Sequence, residues 1–140
     1  MDRKSTSGFV AMLNGGLVVW GSKKQASTSL SSTEAKFIAS MSATQELIWL
    51  RGLLSSINHL SRTATPLLIN NQEVISLIKN GLSLKHSKHI ELHYYFICEK
   101  FTDGTIAAKY ISTDEQLADG LTKALAGIKY KKFVEGLSFA

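Results

Sequence analysis

The sequence predicts an α/β domain, a mixed sheet flanked by helices. Three observations carry this. Two apolar runs flank Asn14-Gly15-Gly16, a long helical pattern opens at Ser32, and strand-like and helix-like segments alternate after it.

The runs are Gly8 to Leu13 and Leu17 to Gly21, and glycine accepts the positive φ that a tight hairpin turn between them needs. Ser22-Lys23-Lys24-Gln25 leaves the hairpin as a polar loop. Ser31 to Glu34 then spells a capping box, a serine hydroxyl accepting from the amide three residues on while the glutamate reaches back. Behind it Ala35, Phe37, Ile38, Met41, Leu47, Ile48, Leu50, Leu53 and Leu54 recur at helical spacing, so a helix is expected from Ser32 to about Ile57 with one face buried. Pro66-Leu67-Leu68-Ile69 reads as a short buried strand, and Asn70-Asn71-Gln72-Glu73 opens a helix that stops at Asn80-Gly81. A further helix is expected over Lys85 to Phe101, an alternating strand over Thr105 to Ile111, and a short acidic helix at Asp114 to Asp119. The chain closes on a basic amphipathic segment, Ile128 to Phe133. Tyr94, Trp20 and Trp49 are read as core.

At 140 residues the chain has the size of one domain, 1–140, with a single hydrophobic core. A hydrophobic content of 44% excludes a disordered polar chain. The lone cysteine, Cys98, cannot form an internal disulfide, and the start at Met1-Asp2-Arg3 lacks the apolar core of a signal peptide. An intracellular setting, cytoplasmic or nuclear, is expected. No apolar run approaches the roughly 20 residues of a membrane span, so no membrane partner is expected. Sixteen basic against eleven acidic side chains leave a net charge of +5, which favours a polyanionic partner such as nucleic acid.

Glu34 admits two readings: an acid that only finishes the capping box, or a metal-binding carboxylate held at a rigid helix start. Glu34, Asn70 and Asp119 all fall at element boundaries, where α/β proteins build their sites. Ser31 and Ser32 are caps rather than nucleophiles. One cysteine with the pair His86 and His89 does not make a zinc site.

Six motifs then occur in order. They are Ser5-Thr6-Ser7-Gly8-Phe9, Trp20 with Ser22-Lys23-Lys24-Gln25, Leu30-Ser31-Ser32-Thr33-Glu34-Ala35, Ile48-Trp49-Leu50-Arg51, Lys88-His89-Ile90-Glu91, and Gln116-Leu117-Ala118-Asp119 with Leu121-Thr122-Lys123. Together they resemble the ribonuclease H domain of Copia-type retrotransposon polyproteins over nearly the whole chain. The resemblance implies a five-stranded mixed sheet with helices on its faces, and cleavage of the RNA strand of RNA–DNA hybrids by four acids and two Mg²⁺ ions. The second acid falls on Glu34 and the fourth on Asp119. The third position reads Asn70-Asn71-Gln72, an amide where the family has a carboxylate. The first lies on a strand upstream of the Ser-Thr-Ser-Gly motif, and this sequence starts after it. Asp2, Glu73 and Glu91 are read as surface charges rather than substitutes.

Two acids cannot offset two divalent ions, so Mg²⁺ binding is expected to be weak or lost and the domain catalytically degenerate. Binding of an RNA–DNA hybrid or other duplex is expected through Lys23, Lys24, Lys85, Lys88 and Lys123, with His86 and His89 as phosphate contacts or a proton shuttle. An active Mg²⁺-dependent ribonuclease and a repurposed protein-interaction module remain the alternatives. In the family the absent strand lies between the hairpin and Leu67 to Ile69. Without it the sheet must close up, accept a strand from another chain, or leave two open edges; self-association through those edges, as a two-fold dimer, is expected.

Overall fold

The computed structural model describes residues 4–26, 31–59, 62–80, 88–122, 125 and 127–137, the side chains of 88–93 excepted. Among them four strands and four α-helices follow in the order β1 (Thr6–Leu13), β2 (Gly16–Lys24), α1 (Ser32–Ser56), β3 (Thr65–Ile69), α2 (Gln72–Asn80), α3 (Lys88–Thr102), β4 (Ile106–Tyr110) and α4 (Gly127–Gly136).

Two residues turn the hairpin, Asn14 at φ 52° and Gly15 at φ 80°, the left-handed pair that matches strand twist. β1 and β2 run antiparallel from Thr6 opposite Lys24 to Leu13 opposite Gly16, with a register shift between Ala11 and Met12. β3 and β4 run parallel, Thr65 opposite Ile106 and Ile69 opposite Tyr110. The pairs form two separate two-stranded sheets. Among the described residues no strand joins the two, so each sheet keeps unpaired edges.

The free edges of β1 and β3 differ in chemistry. The Gln25 amide donates to the Ser5 carbonyl at 2.7 Å, in register with the hairpin ladder, so Ser7, Phe9 and Ala11 turn their backbone groups to β2. By alternation Thr6, Gly8, Val10 and Met12 turn theirs to the open side. The Thr65 amide on β3 donates to the Thr105 carbonyl and the Ile111 amide after β4 donates to the Ile69 carbonyl on β3, which leaves Pro66 and Leu68 facing outward. Pro66 has no N–H, and the Gln116 side chain donates to the Leu68 carbonyl at 3.0 Å. The β3 edge is therefore blunted, whereas among the described residues nothing bonds the outward groups of β1.

The Glu34 amide donates to Ser31 Oγ at 3.1 Å, which realises half of the capping box. At 25 residues α1 is roughly 38 Å long, far longer than the strands it packs on, the eight-residue β1 and the five-residue β3. Its buried stripe is Phe37, Ser40, Met41 and Thr44. Both hydroxyls bond back to carbonyls four residues earlier, at 2.8 Å, so the two polar residues are buried without an unmet donor. Ile38 and Ile48 are half-buried, and Leu53 and Ile57 are exposed where the helix overhangs the sheet. Arg51 ties that half to the start of β3, donating to the Thr63 carbonyl at 3.1 Å and Thr65 Oγ1 at 2.6 Å.

The core gathers Phe37, Ile69, Val74, Ile75, Ile78, Tyr94, Ile97, Ile106 and Ala108, on α1, β3, α2, α3 and β4. Ile97, Ile106 and Val74 are wholly buried, each worth roughly 1.5–3 kcal/mol against exposure. Tyr94 packs there as expected, its ring 6.2 Å from that of Phe37. Cys98 lies against this core with its Sγ 3.6 Å from the Ile78 carbonyl, and burial pushes its thiol pKa up. No β1 or β2 residue is fully buried.

Both tryptophans correct the sequence reading: Trp20 is 59% exposed and Trp49 58%. Trp20 shares the outer hairpin face with Val18, which alternation turns away from α1. Trp49 lies two positions past Leu47, off the buried stripe. The acidic segment is not an α-helix but two 3₁₀ turns, Thr113–Glu115 and Leu117–Leu121. Close packing keeps them tight, since a Cβ at Gly120 would lie 2.3 Å from the Phe133 ring.

Candidate nucleic-acid interface and remnant acidic site

Of the residues singled out in the sequence, Asn70 lies where β3 ends. Its Oδ1 accepts from Lys36 Nζ at 3.0 Å. Its Nδ2 lies 3.5 Å from Thr113 Oγ1, in the first 3₁₀ turn. Asn71 caps the next helix through its side chain, accepting from the Val74 amide at 3.1 Å. Thr33 donates to Glu73 Oε2 at 2.7 Å, which joins the starts of α1 and α2. Glu73 is exposed, a surface charge as expected, and this hydrogen bond is its link to α1.

Glu34 heads the buried stripe of α1, three residues before Phe37, and is half-buried. Asp119 is half-buried in the second 3₁₀ turn, its amide donating to the Gln116 carbonyl at 3.3 Å. That turn is pinned to both sheets: Gln116 reaches Leu68, and Ser22 Oγ donates to the Leu121 carbonyl at 2.6 Å. A Cβ at Gly8 would lie 3.0 Å from the Ala118 carbonyl oxygen, so only glycine permits this approach.

Two hard divalent ions need several carboxylate oxygens. The described residues offer Glu34, Asp119 and a neutral amide already bonded to an ammonium. No three His, Cys, Asp or Glu side chains among them converge as a ligand group. This donor set does not fit a Mg²⁺ pair.

Lys23 and Lys24 are exposed at the end of β2. Lys88 and His89 fall in the first turn of α3, with side chains outside the described residues, as is that of Glu91; Asp2, Lys85, His86 and Lys123 lie outside them altogether. On α4, Lys132 bonds Glu115 at 2.7 Å and Lys129 lies 4.0 Å from Asp114. The sequence reading missed Lys36. Its only signal was a lysine one turn after Thr33, which does not name a partner 34 positions away.

Over 130 residues, 93% of its length, the chain is 35% identical to a retrovirus-related Pol polyprotein from transposon TNT 1-94 of Nicotiana tabacum. It is 32% identical over 94% of its length to the corresponding polyproteins from transposons RE2 and RE1 of Arabidopsis thaliana. The chain is homologous to a segment of Copia-type retrotransposon Pol polyproteins. It spans only 9–10% of those relatives' length. A 49-residue stretch, 35% of the chain, is 56% identical to part of the secreted RxLR effector protein 161 of Plasmopara viticola, covering 34% of that protein. No family model matches. Among the described residues no helix is long and apolar enough to cross a membrane.

Proposed function

We propose that this chain is a ribonuclease H-like unit of retrotransposon origin that binds nucleic acid duplex, an RNA–DNA hybrid above all, and does not cleave it. The Lys36–Asn70 hydrogen bond carries the reading. Where catalysis requires a carboxylate facing a divalent ion, this chain pairs a neutral amide with a fixed monovalent cation. Glu34 and Asp119 remain as half-buried acids, too few to hold two ions. β1 and β3 belong to separate sheets, which the ribonuclease H reading would join into one through a further strand.

The test incubates an RNA–DNA hybrid with the purified chain in Mg²⁺ and in Mn²⁺, beside a Glu34→Ala variant, and follows binding by anisotropy in parallel. Binding without cutting is expected. Robust cutting that disappears in the variant would overturn the degenerate reading.

A second reading, a protein-interaction module, is favoured by the β1 edge. Thr6, Gly8, Val10 and Met12 present backbone groups outward on a strand with no charge and no proline, the pattern that recruits another strand. On this reading a second copy of the chain supplies the strand. Sedimentation across a hundredfold concentration range should show a monomer–dimer transition; a strict monomer throughout counts against it.

A further inference from the structure

Lys36 is the half-buried cation of the site, and among the described residues no carboxylate pairs with it. Its partner is neutral. Glu73, at the start of α2, bonds to the Thr33 hydroxyl one turn earlier on α1 than Lys36. Asn70 is held from its other side by Thr113, so the amide oxygen stays aimed at the ammonium. An amide dipole orients a positive charge without cancelling it, and the ammonium keeps two further protons to donate.

Resting on the duplex-binding reading, we propose that Lys36, oriented by Asn70, anchors a backbone phosphate of the bound duplex at the end of β3, standing where a divalent ion would otherwise meet that phosphate. The amide then has a role that a carboxylate would spoil. A carboxylate at position 70 would neutralise Lys36, whereas the neutral side chain positions the charge and leaves it available to the phosphodiester. Docking at this point is consequently independent of metal.

The test measures hybrid affinity at low salt for the wild type, Lys36→Met, Lys36→Arg and Asn70→Asp, each in EDTA and in Mg²⁺, with circular dichroism to check folding. Lys36→Met is expected to weaken binding about three- to tenfold and to flatten the salt slope by about one unit, as loss of one phosphate contact does. Asn70→Asp is expected to weaken it comparably, and Lys36→Arg to retain it. EDTA should change nothing. A wild-type affinity and slope in Lys36→Met, or tighter binding in Asn70→Asp, would overturn the proposal. Inorganic phosphate provides a separate arm: titration should move the Asn70 side-chain amide resonances in the wild type and leave them unmoved in Lys36→Met. If that shift occurs while no duplex binds, the anion site stands and the duplex reading falls; if neither occurs, both fall.

Discussion

Raising salt from 50 to 200 mM is expected to weaken duplex binding about a hundredfold. Each phosphate neutralised by a lysine releases condensed counterions, and the logarithm of affinity falls with the logarithm of salt by about 0.9 per contact. Lys23, Lys24 and Lys36 supply three contacts on described parts of the chain, and one more lysine outside them brings the number to about four, hence the expected loss. Lys129 and Lys132 are left out of this set because Asp114 and Glu115 already face them. Charge reversal of Lys23 and Lys24 together should remove about half of the slope, while an Asp114→Asn, Glu115→Gln variant should raise it by freeing α4. Anisotropy titrations at four salt concentrations read the slope directly. A flat dependence would mean that the chain does not engage a polyanion and would leave the strand-accepting β1 edge as the better account of its function.

What the sequence made legible was local. The Ser31 to Glu34 cap and the Asn14-Gly15 turn are each decided by residues within a turn of one another, while the expected stop at Asn80-Gly81 runs outside the described residues. The paired strands were legible as well, because alternation and turn residues delimit them. Trp20 and Trp49 were not, since burial of a large side chain depends on what covers its face. Nothing among the described residues covers the outer hairpin face at Trp20 or the far side of α1 at Trp49. Ser40 and Thr44 are the opposite case: no apolar pattern marks them, yet they sit on the buried stripe with their hydroxyls bonded within the helix.

The site divides along the same line. Glu34, Asn70 and Asp119 were legible as boundary residues, and the retrotransposon resemblance named them. The contacts that define what they do were not. Lys36 to Asn70, Thr33 to Glu73 and Gln116 to the Leu68 carbonyl each join residues separated by 34, 40 and 48 positions, between elements whose packing no local pattern specifies. The blunted β3 edge is a further case, legible at Pro66 but not at Leu68, where the protection comes from a glutamine on a 3₁₀ turn.

Asn70→Asp alone is expected to leave the protein indifferent to Mg²⁺. The introduced carboxylate would meet Lys36 at the 3.0 Å now spanned by the amide, and the resulting ion pair would occupy the oxygens that a metal needs. Half-exposed, that pair adds about 0.2–1 kcal/mol of stability at low salt, present with or without a divalent ion. Adding Lys36→Ala removes the competing cation, so that the new carboxylate at the end of β3 is free to meet an ion and, with Glu34 and Asp119, restores three of the acid positions that the ribonuclease H resemblance names. Mg²⁺ should then stabilise the double variant by mass action, about 2.7 kcal/mol when the ion is at a hundred times its dissociation constant. Thermal unfolding over a Mg²⁺ series separates the cases: no shift for the wild type or Asn70→Asp, and a rise of several degrees for the double variant. The double variant should still not cut an RNA–DNA hybrid, because three acids fall one short of the four that the ribonuclease H resemblance requires. A Mg²⁺-dependent shift already present in Asn70→Asp would show that Lys36 does not guard this position. The block to metal binding would then lie in the missing charge alone.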